Sequence, residues 1–195
     1  MGVYRGIYSY ELGKEFKHVH SFEPNPLLYP FLKKNLTKII RNMTLYNYAA
    51  SDSTGKIELK IPVRNKSIFK TNYEELYQLG AATIHNENEI KDFNSIKVKK
   101  IKLDDILGDK SISFIKIDVE GHEREVIIGS KRIITTNKPN LLVEIEEKHS
   151  KNPVEDTINF INNFGYKSYY LKDGKLISTK KLKYLNSENN FIFIA

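Results

Sequence analysis

Three acids and a histidine crowd one short segment, Ile115-Lys116-Ile117-Asp118-Val119-Glu120-Gly121-His122-Glu123. A carboxylate or an imidazole can take a proton from a reacting hydroxyl, and histidine titrates near neutrality. The segment reads as an apolar strand that ends at Asp118, turns through Gly121 and enters a helix. Ligands in open α/β sheets bind beside the carboxyl ends of the strands. Asp118, Glu120 and His122 are therefore the catalytic candidates. Each has a plainer alternative. Asp118 and Glu120 can cap the helix, His122 can be a solvated first-turn residue, and Glu123 reads best as a first-turn acid. Glu144 ends a later strand and His149 follows it, so these two are candidate substrate contacts. No spacing among these residues specifies a metal site, and none is expected.

A second strand ends on an acid in Val19-His20-Ser21-Phe22-Glu23-Pro24-Asn25-Pro26. A carboxylate at this place in a Rossmann-like sheet can accept both hydroxyls of a ribose. Pro24 and Pro26 stiffen the loop that aims it. Upstream, Gly2-Val3-Tyr4-Arg5-Gly6 is a glycine loop that opens a helix. Glycine permits close backbone approach, and a helix start offers free N–H groups to an anion. The spacing is G-x-x-x-G, without the additional close approach that a dinucleotide pyrophosphate needs. A cofactor with a ribose and a small carboxylate fits, and S-adenosylmethionine has that shape. The alternative is a helix entry followed by a surface acid.

These residues need a scaffold. Helices are expected over residues 4–16, 26–41, 121–136 and 153–164, the last closed by Gly165. The second carries the stripe Leu28, Phe31, Leu32, Leu36, Ile39 and Ile40, with Pro26 at its first turn. Strands are expected over 17–22, 43–50, 56–61, 95–103, 113–117, 140–145, 166–171 and 191–194. A helical turn is expected at 104–108 and a hairpin turn at Asp173-Gly174. Residues 62–94 are the least regular. They read as a substrate-side insertion or lid with a short helix over 73–79. Strands alternating with helices predict an α/β fold: one doubly wound, mostly parallel sheet, with antiparallel additions at the end.

The chain has 195 residues, 40% of them hydrophobic, which suits one domain with a real core. No apolar run approaches a membrane span. Cysteine is absent, which excludes disulfides, cysteine nucleophiles and thiolate zinc sites. A cytoplasmic location is the expectation. The net charge is +7, carried mainly by lysines scattered among acids, and this reads as a solvated surface without a nucleic-acid footprint. His18 and His20 read as surface or satisfied histidines. Phe69, Tyr73 and Tyr77 read as packing before a sugar platform, and Tyr46 and Tyr48 as packing within a strand.

Several spaced motifs occur in the order found in the FkbM family of S-adenosylmethionine-dependent methyltransferases. Gly2-Val3-Tyr4-Arg5-Gly6 resembles the end of its first glycine motif. Phe22-Glu23-Pro24-Asn25-Pro26 resembles its ribose-binding motif, followed by a helix with Leu32 and Asn35. Ala49-Ala50-Ser51-Asp52 with Gly55, and Leu103-Asp104-Asp105-Ile106, resemble its next motifs. Lys116 to Glu123 resembles its strand-four signature, Gly129 its later helix glycine, and Pro139 to Glu144 its fifth strand. The likeness runs from Gly2 to roughly Lys172. It departs from the pattern in one respect: the family has a strand and an acid before the first glycine, where this sequence has Met1. The first strand of the sheet is therefore expected to be missing, as in an N-terminally truncated domain.

The resemblance implies a class I, Rossmann-like methyltransferase. In it, Gly2, Val3 and Gly6 would contact the amino-acid part of the cofactor. Glu23, Pro24 and Asn25 would take its ribose, and Ala50 and Ser51 would border its adenine. Asp118 would orient the cofactor or act on the acceptor, with Glu120 or His122. The implied acceptor is a sugar or small polyol hydroxyl. The alternative is an inactive Rossmann-like remnant or partner-binding module.

Overall fold

Glycine opens the first helix for a geometric reason. Gly6 sits at φ 80°, a left-handed conformation that side chains resist, and a Cβ there would lie 2.4 Å from the Leu36 side chain. Helix α1 (Ile7–Glu15) follows, then strand β1 (Val19–Phe22), helix α2 (Tyr29–Ile39) and strand β2 (Met43–Tyr46). The computed structural model describes residues 1–3, 6–62, 93–149, 152–182 and 187–195. The expected helix over 73–79 and the residues Phe69, Tyr73 and Tyr77 lie outside them. At the ends of the expected insertion, Pro62 and Phe93 pair with each other as strand residues.

The chain divides into two compact units, and the first draws on residues 1–49, 54–62 and 93–100. Its β1 and β2 run parallel, with Val19 beside Met43 and Phe22 beside Tyr46. A parallel pair needs a crossover, and α2 provides it. Leu28, Leu32, Leu36 and Ile40 recur every fourth residue and are buried with Val3, Val19, Met43 and Leu45. Burying each such side chain is worth about 1.5–3 kcal/mol. Phe31 and Ile39, expected on this stripe, are exposed instead. The helix also starts later than expected: Pro30, not Pro26, occupies its first turn. The side-chain amide of Asn42 donates to the carbonyls of Gly13 and Phe16, which closes the end of α1.

The strand expected over 43–50 breaks at Asn47 and Tyr48, giving β2 and a short β3 (Ala49–Ala50). Strands β4 (Gly55–Pro62) and β5 (Phe93–Ile101) pair antiparallel, in a sheet of order β3–β5–β4. Leu59, Ile61 and Val98 pack with Ala49 as a second apolar cluster.

The second unit draws on residues 50–53 and 101–195. It contains helix α3 (Leu103–Leu107), strand β6 (Phe114–Ile117), helices α4 (Glu123–Ile128) and α5 (Lys131–Asn137), strand β7 (Asn140–Glu144), helix α6 (Val154–Asn162) and strands β8 (Lys167–Lys172), β9 (Lys175–Ser178) and β10 (Asn190–Ile194). The sheet order is β6–β7–β10–β8–β9. Ile117, Leu141, Val143, Phe191 and Phe193 are fully buried.

The architecture is α/β with mixed sheets, and this corrects the expectation of one doubly wound, mostly parallel sheet. Strands β1 and β2 pair parallel, as do β6 and β7. Strand β10 instead pairs antiparallel with both β7 and β8. The antiparallel character of the final strands was expected. So was the hairpin turn, where Asp173 and Gly174 both take positive φ, the requirement of a tight two-residue turn.

The single helix expected over 121–136 is two helices. Gly129 lies so close to the Ser51 carbonyl that a Cβ would be 1.9 Å from that oxygen. The Asp104 carboxylate then accepts the Arg132 and Ile133 N–H groups at 2.8 and 3.0 Å. A distant acid thus satisfies the exposed donors of a new helix start and makes the break favourable.

Candidate functional site

The candidate residues fall into two sets, one in each unit. In the first unit, Gly2 and Gly6 both take positive φ, and the Gly6 N–H donates to the Val3 carbonyl at 2.7 Å. This is the tight glycine loop expected from the sequence. Val3 is buried in the core beneath it, and Tyr4 and Arg5 lie outside the described residues.

Glu23 follows β1 directly, and its N–H donates to the Tyr46 carbonyl, extending the parallel pair by one rung. Its side chain is buried, with Oε1 accepting the Asn25 N–H at 2.9 Å. Asn25 is fully buried, and its Oδ1 accepts the Leu27 N–H. The amide of Asn47 donates to the carbonyls of Glu23 and Pro24. The loop after β1 is thus fixed by hydrogen bonds at each step, and Glu23 is held by backbone.

In the second unit, Asp118 and Glu144 follow from one register. Lys116 pairs with Leu142 in the parallel β6–β7 ladder, so two residues further on Asp118 is level with Glu144. Lys116 is buried, and the sequence reading passed over it as a strand residue. Its Nζ lies 2.5 Å from Asp118 Oδ2 and 4.0 Å from Glu144 Oε2. The period-two rule is the signal that could have found it, since residues 116 and 118 share a side of the strand.

This arrangement is electrically asymmetric. Asp118 has the close ammonium. Burial pushes the Glu144 carboxyl up to about 7, the Asp118 charge adds to that, and Lys116 opposes it. Glu146 is engaged elsewhere, with Lys148 and the Asn189 side chain.

Glu120 and Gly121 both have positive φ, 53° and 97°. The chain therefore turns sharply after β6, and the Gly121 N–H donates to Glu123 Oε1 at 2.9 Å. Glu123 is a first-turn acid of α4, as expected, and it is buried. Burial raises its pKa to about 7 against the opposing hydrogen bonds from Gly121 and its own backbone. His122 is also buried. Its Nε2 is 2.9 Å from Ser51 Oγ and its Nδ1 is 3.6 Å from Glu125 Oε2. The ring thus ties the turn after β6 to Ser51, whose N–H donates to the Ile101 carbonyl. Ala50 is buried beside Ser51 in sequence. His149 lies in a short 3-10 turn over Glu147–His149. His18 and His20 hydrogen-bond Thr44 and Tyr46 across the β1–β2 pair, the satisfied role expected of them.

The acidic strand ends and the glycine loop can be compared with known families. The model of the methyltransferase FkbM domain matches residues 2–168. The chain belongs to the FkbM methyltransferase family. Its fold is also similar to the crystal structure of a methyltransferase FkbM from Methylobacillus flagellatus KT, with a TM-score of 0.59 and 17% sequence identity. That likeness covers 100% of this chain and 42% of the other, so this chain spans less than half the length of that protein. At that identity the likeness speaks for the fold alone. Comparison with curated proteins gives no match. Among the described residues, no helix is long and apolar enough to cross a membrane.

Proposed function

We propose that the chain is an S-adenosylmethionine-dependent O-methyltransferase acting on a small hydroxylated acceptor of the sugar or polyol kind, and that residues 1–195 form one methyltransferase domain. The observation that carries the cofactor reading is Glu23. It is a buried carboxylate at the carboxyl end of a parallel strand, held by the Asn25 N–H in a loop fixed by Asn47. Such a carboxylate suits a pair of vicinal ribose hydroxyls. The positive-φ loop at Gly2 and Gly6 suits close approach by a cofactor's amino-acid end. The donor set therefore fits the group. Glu23, Pro24 and Asn25 would hold its ribose, and Gly2, Val3 and Gly6 its amino-acid part.

When bound, S-adenosylmethionine supplies an electrophilic methyl group for an in-line displacement. The chain's own residues orient the acceptor and receive its proton. Asp118, paired with Lys116, suits a fixed orienting role toward a hydroxyl or an amine. Glu144 lacks so close a cation and is the better proton acceptor of the two. Glu120 and His149 stand at the same strand ends as further acceptor contacts. His122 is buried against Ser51, and this favours holding the turn over proton transfer.

Calorimetric titration of S-adenosylmethionine and S-adenosylhomocysteine tests the reading. Binding in the micromolar range is expected. Glu23→Ala should weaken it by about 1–3 kcal/mol, roughly five- to 150-fold, the cost of losing a charge-assisted hydrogen bond. Equal affinity in the variant would remove Glu23 from the site.

A further inference from the structure

The first unit also contains a cleft of about 460 Å³, lined by Pro24, Pro26, Tyr48, Lys97 and Lys99, with Tyr29, Tyr46 and Asn47 behind them. That volume suits a small ligand. Most of its polar groups are already committed. The Tyr29 hydroxyl donates to the Leu45 carbonyl, the Tyr46 hydroxyl meets His20, and the Asn47 amide holds the Glu23 loop. The Tyr48 hydroxyl and the two lysines have no hydrogen bond or ion pair among the described residues.

Lys99 is in an unfavourable place. Lys97 and Lys99 alternate with Val98 along β5, so both point away from the apolar cluster that Val98 joins. Directly across the ladder, Lys99 faces Lys56 and Lys97 faces Glu58. Lys97 makes no ion pair with Glu58. Like charges directly opposite on a sheet repel, so Lys99 gains from an anion beside it. Beside this cationic strand stands a wall of two prolines and a half-buried tyrosine. It offers flat apolar surface and the Tyr48 phenol to a hydroxylated ring.

We propose that this cleft binds a phosphoryl group carried on a sugar ring. Lys97 and Lys99 hold the phosphoryl oxygens, and Pro26 and Tyr48 face the ring. The site goes beyond the methyl-transfer reading and does not depend on it.

Calorimetric titration of the full chain tests this with glucose 1-phosphate and uridine monophosphate as probes, beside glucose and inorganic phosphate. At least one ring phosphate should bind more tightly than inorganic phosphate, and glucose should not bind. Which probe binds distinguishes a glycosyl phosphate from a nucleotide. The double variant Lys97→Gln, Lys99→Gln should lose at least about tenfold in affinity, as expected for charge-assisted contacts. Both lysines are exposed, so this variant should fold. Its titration with S-adenosylhomocysteine should match that of the parent chain, which separates the two sites. Failure of both ring phosphates to bind would overturn the proposal, as would undiminished binding in the double variant. Inorganic phosphate binding as tightly as both ring phosphates would show an adventitious anion only, and would overturn it equally.

Discussion

Lys116 and Lys99 are both strand lysines, and they live under opposite rules. Lys116 is buried at the end of β6 with carboxylates of Asp118 and Glu144 at 2.5 and 4.0 Å. Lys99 is exposed on β5 and faces a second lysine across the ladder. A buried charge must find its counter-charge within the protein, because desolvation is otherwise too costly. An exposed charge can leave the matter to water or to a ligand. The β6–β7 end is therefore a site whose electrostatics is settled internally. The β4–β5 surface keeps an unbalanced charge.

Removing Lys116 should give the largest effect. Lys116→Met leaves two carboxylates facing each other without their cation. Breaking a buried pair costs about 3–5 kcal/mol. Here the Asp118 and Glu144 side chains are 28% and 31% exposed, so water screens part of that. A loss of about 2–3 kcal/mol at pH 8 is the expectation, read from urea denaturation. Glu144 already titrates near 7. At pH 5 it is largely protonated, the repulsion is weaker, and the loss should shrink. A loss equal at both pH values would mean that Lys116 acts through packing, and the contrast with Lys99 would fail.

Glu123 sharpens the comparison from the acidic side, because it is a buried carboxylate with no lysine partner among the described residues. Its folded pKa is raised from 4.5 to about 7, mainly by burial. The folded state therefore binds this proton more tightly than the unfolded chain does. The sign follows: stability falls as pH rises from about 4.5 through about 7, and stays low above that. Glu123→Gln keeps an oxygen to accept the Gly121 N–H and removes the charge. It should stabilise the protein by about 2–3 kcal/mol at pH 8 and leave it unchanged at pH 4. Thermal melts at the two pH values decide it. A variant destabilised at pH 8 would show that the Glu123 charge is compensated after all.

The two regions were not equally legible in the sequence. The first strand end was, because its information is local. Glu23, Pro24 and Asn25 follow one another, and the hydrogen bond from Asn25 to Glu23 spans two residues. The glycine loop was legible for the same reason, since positive φ at Gly6 is a property of the residue and its turn. Lys116 was passed over because its meaning depends on which strand lies beside it. Only the β6–β7 register brings Glu144 level with Asp118. The position of β10 was hidden likewise: Phe191 and Phe193 announce a buried strand but not its neighbours. The break at Gly129 depends on the Ser51 carbonyl, a contact between residues 78 positions apart, which no helical periodicity records. What was missed is in each case a partner chosen by tertiary packing, a choice that overrides local pattern.

The smallest expected effect lies on the exposed side of the comparison. Lys99→Thr removes one of two directly opposed lysines and places a β-branched residue in a strand. Relief of that repulsion should stabilise the protein by about 0.2–1 kcal/mol. The gain should be largest at low salt, because screening already weakens an exposed repulsion at high salt. Chemical denaturation in a phosphate-free buffer at two ionic strengths measures it. If a phosphorylated sugar occupies the adjoining cleft, adding it should stabilise the parent chain more than the variant, since binding to the folded state alone raises stability. The advantage of Lys99→Thr would then vanish or reverse at saturating ligand. A gain that persists unchanged with and without ligand would mean that Lys99 carries only a cost, and the unbalanced charge on β5 would have no partner in the cleft.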